Sequence, residues 1–342
     1  MTIVIATFNS ERFLPGLREM FDAQRKPTDG ASLEILAVDG GSTDSTRDLA
    51  TELGFTVVDN PRGNPIAAKF LGLNYARSRL VCFLDHDEKL VRSDALWRRY
   101  ELFNQHEFLR AIISAGYSFD EHDTTSNMYA SEFGDPVSLA VYRCPNHGRF
   151  RIKAFAARLR VKSIEEDAYI FEASSETKPI LCEMAAGSGV IDVDFYRLKH
   201  PSLFQDENLL PHAYYLLGPG DHLAVVDGDT VTHESAESWS VVRAKVKWRV
   251  GNAVNRSDVA SSGFTGRDHS PLYSPRRHAG LFFLYAVTLV PPLIDSVRLA
   301  MSRRRLGYLY HFVLTYYVLG MSIVMRSQRL LGRRTVQKRY GF

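Results

Sequence analysis

Three cysteines in 342 residues are too few and too scattered to organise a fold. Cys82, Cys144 and Cys182 have no metal-ligand spacing and cannot all pair, which excludes a disulfide framework and fits a reducing compartment. No basic region precedes Thr2–Thr7, which already reads as a strand, so no signal peptide is expected. The end of the chain is short of acids. From Arg276 to Phe342 it carries 12 of the 42 Lys and Arg but one of the 39 acids, Asp295. At a net charge of +3, an acidic body is therefore joined to a basic tail. Basic residues that flank apolar runs, instead of spreading over a folded groove, point to a membrane surface and away from nucleic acid.

Two apolar runs occupy that tail. Residues 279–294 contain Pro291-Pro292, and residues 306–325 have no formal charge. About 20 apolar residues span a bilayer, so the first run is marginal and the second sufficient. Arg276-Arg277, Arg303-Arg304-Arg305, Arg326, Arg329 and Arg333-Arg334 flank them. Two full crossings would put Arg303–Arg305 outside, against the positive-inside tendency. The preferred reading is a membrane-embedded hairpin or interfacial helices in the cytoplasmic leaflet. Two spans come second, and two buried helices of a soluble oligomer third.

The body turns on Leu80-Val81-Cys82-Phe83-Leu84-Asp85-His86-Asp87-Glu88. Five apolar residues read as a buried strand, and two carboxylates follow at its carboxyl end, where ligands bind in an open α/β sheet. Residues two apart in extended chain point the same way, so Asp85 and Asp87 share one side and His86 faces the other. Converging acids suit a hard divalent cation with oxygen ligands, which also takes up diphosphate oxygens.

Strands at 2–7, 33–38, 55–59 and 80–84 alternate with helices, the signature of a mostly parallel sheet. The helices are predicted from a cap at Asn9 or Ser10 to about Gln24, from Ser42–Asp44 to Leu53, and from Pro65 to Ala76. A helix at 94–105 is predicted with Trp97, Tyr100 and Phe103 in the core, and a strand at 110–117. Residues 120–180 suggest no chemistry. Thr7, Asn9, Asp39, Asp44, Asp85 and Asp87 each close an apolar strand on the same side, which points to a ligand cleft.

Ala6-Thr7-Phe8-Asn9, Val38-Asp39-Gly40-Gly41-Ser42-Thr43-Asp44 and Phe83-Leu84-Asp85-His86-Asp87, in this order and spacing, resemble the motifs of a family 2 glycosyltransferase. The resemblance is close over residues 2–90 and looser to about Arg249. It implies the GT-A fold, a Rossmann-like α/β nucleotide-diphospho-sugar transferase with a mostly parallel sheet and helices on both faces. Here a C-terminal apolar helical, membrane-associated region follows. It also implies a nucleotide-diphosphate sugar donor, a divalent metal (Mn2+ or Mg2+) and inversion at the anomeric carbon. Thr7, Asn9, Asp39 and Ser42 would hold the nucleotide, Asp85 the ribose or sugar, and Asp87 with His233 the metal. Lys69 stands where the family places residues facing the donor, although a solvated helix position explains it equally. The glycines of Gly187-Ser188-Gly189 suit close approach to a ligand. Asp206-Glu207 resembles the acceptor-side acidic pair in which one carboxylate is the general base. Asp206 is favoured and Glu207 stays a candidate; both acids also suit a helix N-terminus whatever their chemistry. The chain departs from the family at Gly40 and Glu88, where Asp is common, and Ala244 stands where the Gln-x-x-Arg-Trp motif of processive synthases would need Gln.

The resemblance divides the chain into a glycosyltransferase domain over 1–256, a linker over 257–275 and a membrane-associated tail over 276–342. Within the domain, 1–118 is the nucleotide-sugar-binding half and 119–256 the acceptor half. The expected enzyme works at the cytoplasmic face of a membrane on a lipid-linked or glycan acceptor, in envelope polysaccharide or glycolipid synthesis. A polyprenyl-phosphate acceptor, already anionic, would need no base. A sugar-1-phosphate nucleotidyltransferase would need a Gly-rich basic loop where Phe8-Asn9-Ser10-Glu11 stands. A non-catalytic scaffold would have no use for Asp85, Asp87 and Asp206.

Overall fold

The computed structural model describes residues 1–25, 30, 32–173, 180, 182–234, 238–255 and 276–332. The expected linker at 257–275 and Arg333-Arg334 lie outside the described residues. Among the described residues the chain forms two compact units. One comprises Met1–Ser118, His147–Lys178 and Cys182–Glu234; the other comprises Phe119–Asn146, Pro179–Leu181 and Ser235–Phe342. This differs from the division expected from sequence, because 119–146 and 239–255 share a core with the tail instead of with the sheet.

In the first unit every residue of β1 (Thr2–Thr7) is buried, which leaves the strand no solvent face. It lies between β2 (Glu34–Asp39) and β4 (Leu80–Asp85), with β3 (Thr56–Asp59) beyond β2, all parallel. The sheet continues through β10 (Val190–Asp192), β6 (Leu109–Ile113), β11 (His222–Val226), β9 (Ala168–Glu172) and β8 (Arg160–Glu165). β10 runs antiparallel to both its neighbours, and β11 parallel to β6. A second sheet has the order β5 (Glu88–Leu90), β12 (Thr230–His233), β7 (Gly116–Tyr117). The unit's helices are α1 (Leu14–Ala23), α2 (Thr46–Glu52), α3 (Pro65–Tyr75), α4 (Ala95–Gln105), α7 (Arg151–Ala156) and α8 (Val193–Lys199).

Three local expectations are corrected. α1 starts at Leu14, not at Asn9 or Ser10, because the Asn9 side chain is bonded to the loop after β2 and the Ser10 side chain to the amide of Phe8. Asn9 sits at φ 47° with Oδ1 accepting from the Thr43 amide at 2.9 Å, and Ser10 Oγ accepts from the Phe8 amide at 3.0 Å. The strand expected at 110–117 breaks into β6 and β7 in different sheets, at Gly116, whose φ of 114° suits glycine. α4 buries Leu96, Arg99, Leu102 and Phe103, whereas Trp97 and Tyr100 are only half-buried, so the helix is rotated from its expected core face.

The second unit is helical: α5 (Thr125–Phe133), α6 (Pro136–Tyr142), α9 (Trp239–Asn255), α10 (Arg276–Val287), α11 (Val290–Arg303) and α12 (Tyr310–Leu330). Met128, Tyr129, Phe133, Val242, Val246, Phe282, Ala286, Leu314 and Val318 fill its core. α10 and α11 meet at 85° across Thr288-Leu289, with Pro291-Pro292 in the first turn of α11, where proline fits a helix.

Candidate active site

Register places the acids. Thr7 pairs with Asp39 and Ala6 with Asp85, so two carboxylates end the strands on either side of β1. The crevice at the carboxyl ends of parallel strands is where such an open sheet binds ligands.

Around β1 and β2 the first group knits itself together. Asp39 is 1% exposed. Its Oδ2 accepts from the amides of Gly41 (3.1 Å) and Ser42 (2.9 Å), and its Oδ1 from Ser42 Oγ (2.5 Å) and Thr7 Oγ1 (3.3 Å). Arg47 Nη1 lies 3.3 Å from Asp39 and 2.6 Å from Asp59. The Asn9 amide donates to Ser42 Oγ at 2.8 Å. Thr7, Asn9, Asp39 and Ser42 therefore form one hydrogen-bonded turn, in which Asp39 fixes the loop.

The acidic turn after β4 forms the second group. Lys69, on α3, is buried and its Nζ lies 2.6 Å from Asp85 Oδ1. Burial pushes the Lys69 ammonium down, but the charges of Asp85 and Glu88 outweigh it and the net shift is upward. The solvated reading of Lys69 thus gives way to a buried ion pair. His86 and Asp87 lie in a turn instead of extended chain, and His86 Nδ1 is 3.2 Å from the Ala6 carbonyl. Asp87 Oδ2 lies 3.1 Å from Nε2 of His233 on β12, the strand paired with β5. Burial alone would raise the Asp87 carboxyl, but the hydrogen bond and charge of His233, with His86, hold it well below the usual carboxylate range.

Glu88 was no site candidate, yet it braces this turn. It is 1% exposed, accepts from the Asp85 amide at 2.9 Å, and accepts from the Tyr117 hydroxyl at 2.5 Å. Burial and the Asp85 charge push its carboxyl up to about 7, with Lys69 opposing. The same burial and acids raise the Tyr117 hydroxyl. A second unforeseen brace is Arg99. Wholly buried, it holds Asp229 with two bonds of 2.7 and 2.9 Å and the Ser188 carbonyl at 2.5 Å. Its sequence signal was an Arg spaced among Leu96, Leu102 and Phe103 on the apolar stripe of α4. Nor do the glycines around Ser188 need a ligand to explain them. A Cβ on Gly189 would meet the Met184 carbonyl oxygen at 2.2 Å, so chain packing demands the glycine.

The donors at Asp87 and His233 fit a metal held in part by substrate. A carboxylate oxygen and an imidazole nitrogen already converge. Among the described residues no cluster of three or more His, Cys, Asp and Glu side chains forms a closed cage. That set suits a hard divalent ion that completes its shell with diphosphate and water oxygens, and it does not suit a structural zinc site.

Asp206 and Glu207 open the 3-10 helix Glu207–Leu216, which packs beside α3. Asp206 Oδ1 accepts from the amide (2.9 Å) and side chain (2.7 Å) of Asn208, as a helix cap does. Its Oδ2 has no protein hydrogen bond among the described residues. Glu207 is tied to Arg62 at 2.6 Å.

The family model described as Glycosyl transferase family 2 matches residues 2–163. Among solved structures, TarS 1–349 of S. aureus in complex with UDP aligns with 97% of this chain and 91% of its own, at 13% identity and TM-score 0.45. Mannosyltransferase PcManGT from Pyrobaculum calidifontis, with GDP-Man and Mn2+, aligns with 96% of this chain and 87% of its own, at 13% identity and TM-score 0.43. Glucosyl-3-phosphoglycerate synthase from Mycobacterium tuberculosis, with Mn2+ and UDP-Glc, aligns with 77% of this chain and 80% of its own, at 16% identity and TM-score 0.46. No curated protein matches the chain.

Proposed function

The chain is a family 2 glycosyltransferase through residues 2–163, and we propose that it is an inverting, metal-dependent enzyme moving a sugar from a nucleotide-diphosphate donor to a lipid-linked or membrane-delivered acceptor. The observation that carries this reading is the convergence of Asp87 on His233 directly after a strand whose last residue, Asp85, is charge-paired with buried Lys69. Asp87 and His233 would hold Mn2+ or Mg2+. When bound, the ion neutralises charge on the departing diphosphate. The turn of Thr7, Asn9, Asp39 and Ser42 walls the nucleotide side. Lys69 holds Asp85 in place toward the ribose or sugar. A thermal-shift screen of nucleoside diphosphates tests the donor. The matching base raises Tm in the presence of Mn2+ and much less without it, because ligand-linked stability grows with concentration over Kd. No stabilisation by any nucleotide would remove the donor assignment.

An acceptor hydroxyl must lose a proton as it attacks, and among the described residues Asp206 Oδ2 is the carboxylate oxygen left open for it; Glu207 is occupied by Arg62. Asp206→Asn should therefore lower kcat by about 100- to 10,000-fold, the usual range for a general base, with little change in donor binding. Retention of full transfer to a polyprenyl phosphate would favour the acceptor that needs no base. The helix Leu306–Leu330 is long and apolar enough to cross a membrane. Together with the basic flanks, it supports a site of action at the cytoplasmic face.

A further inference from the structure

Among the described residues, the single helix long enough to span is packed along a polar one. Tyr310, at the start of α12, stacks on Trp239, at the start of α9, with ring centroids 4.4 Å apart. Met325 lies against Gly251, and Arg329 donates to the Val254 carbonyl near the end of α9. The two helices thus run side by side in the same direction over their lengths. α9 carries Arg243, Lys245, Lys247 and Arg249. Were α12 to cross a bilayer, those four cations would be drawn toward the hydrocarbon, which is strongly unfavourable.

The residues before α12 are also held in place. Arg303 grips the buried carboxylate of Glu132 on α5, and Arg305 donates to the carbonyls of Asp120 (3.3 Å) and Glu121 (3.1 Å). Inside the bundle, His311 bonds the hydroxyls of Tyr129 (2.7 Å) and Tyr285 (2.8 Å), and Asp295 joins Tyr285 (2.8 Å) to Arg143 (2.7 Å). Asp295, Arg303 and His311 are thus spent on neighbouring helices.

Among the described residues the outer side of the bent pair α10–α11 carries a continuous uncovered apolar surface, whereas α12 exposes only separate residues such as Val313, Ile323 and Val324. Phe283, Leu284, Val287, Leu289, Val290 and Leu293 are each more than half exposed. Arg298 and Arg304 are exposed along the same helix or just beyond it, and the only acid of 276–332, Asp295, is buried. At 1.5 Å per residue the arms are about 18 and 21 Å long, each short of a hydrocarbon core of about 30 Å. An apolar elbow with cations behind it and no exposed acid of its own complements an anionic bilayer surface.

We infer that the tail is monotopic: the α10–α11 elbow, with Leu289 at its bend, dips into one leaflet of an anionic membrane, and α12 lies along α9 without crossing. This rests on the membrane reading of the tail. The full chain is tested on phosphatidylcholine vesicles with and without phosphatidylglycerol. Sedimentation should be stronger with the anionic lipid and weakened by salt, and Leu289→Glu with Leu293→Glu should reduce it at least tenfold while circular dichroism and Tm stay unchanged. In sealed vesicles, Ser302→Cys and Leu331→Cys should both react with an impermeant maleimide from the same face, against a background of three buried native cysteines. A chain that binds no vesicle overturns the membrane reading and this inference together. Binding with the two reporters on opposite faces overturns only the one-leaflet insertion. Should the paired Glu variant instead turn an oligomer into monomers and leave vesicle binding intact, the elbow is a contact between copies and the inference fails.

Discussion

Asp87→Asn is expected to lower kcat/KM by at least about a hundredfold, on the scale of losing one preorganised charge-stabilising group. The substitution keeps the size and one oxygen of the side chain but removes the charge that His233 faces at 3.1 Å and that a divalent ion would need. If Asp87 is a ligand, the loss is accompanied by a higher Mn2+ concentration for half-maximal rate, and excess Mn2+ recovers part of the activity. A merely structural carboxylate would change rate without moving the metal titration. Transfer measured across an Mn2+ series separates the two, and a variant within threefold of the parent at all concentrations would remove Asp87 from the metal site. The same substitution has a stability signature. The Asp87 carboxyl is depressed below its ordinary 3.8 in the folded protein. Its contribution is therefore fully present above that value and lost as pH falls below it toward the folded-state value. Acid unfolding of Asp87→Asn should be correspondingly less steep below about pH 4.

Arg99→Leu is expected to destabilise the protein by about 3–5 kcal/mol, the range for removing one partner of a buried ion pair. Both partners are inaccessible, at 0% and 1% of side-chain exposure for Arg99 and Asp229. Leucine fills much of the space but leaves the Asp229 carboxylate buried without a cation and the Ser188 carbonyl without its donor. Adding Asp229→Leu removes the stranded charge, so the double variant should be more stable than Arg99→Leu alone. Urea unfolding of the four proteins in that cycle measures the coupling. Strict additivity would mean the pair contributes nothing as a pair.

β1, β2 and β4 were legible because each holds a continuous apolar run closed by a polar residue, and burial on both faces leaves that pattern little alternative; β3, partly exposed, was legible from its place in the alternation of strands and helices. Asp39 and Asp85 were legible as strand-end acids for the same local reason, and Asp87 as an acid of the turn that follows. Lys69 was readable only as a position, since α3 carries no mark of which strand end it will meet. Trp97 and Tyr100 misled because their size outweighs Arg99 in any reading of an apolar face; a buried Arg becomes intelligible only when Asp229, far along the chain, is seen beside it.

The tail shows the same limit at larger scale. Length and composition identify α12 as able to span, but they carry no information about α9, whose cations lie along it. What the sequence by itself determined is local: where strands begin and end, which residues close them, and that the last helices are apolar and basic. What only the tertiary structure decided is partnership — Asp87 with His233, Lys69 with Asp85, α12 with α9. The physical reason is that backbone geometry and burial act within a few residues, whereas ion pairs and helix packing are set by the register of strands and helices distant in the chain.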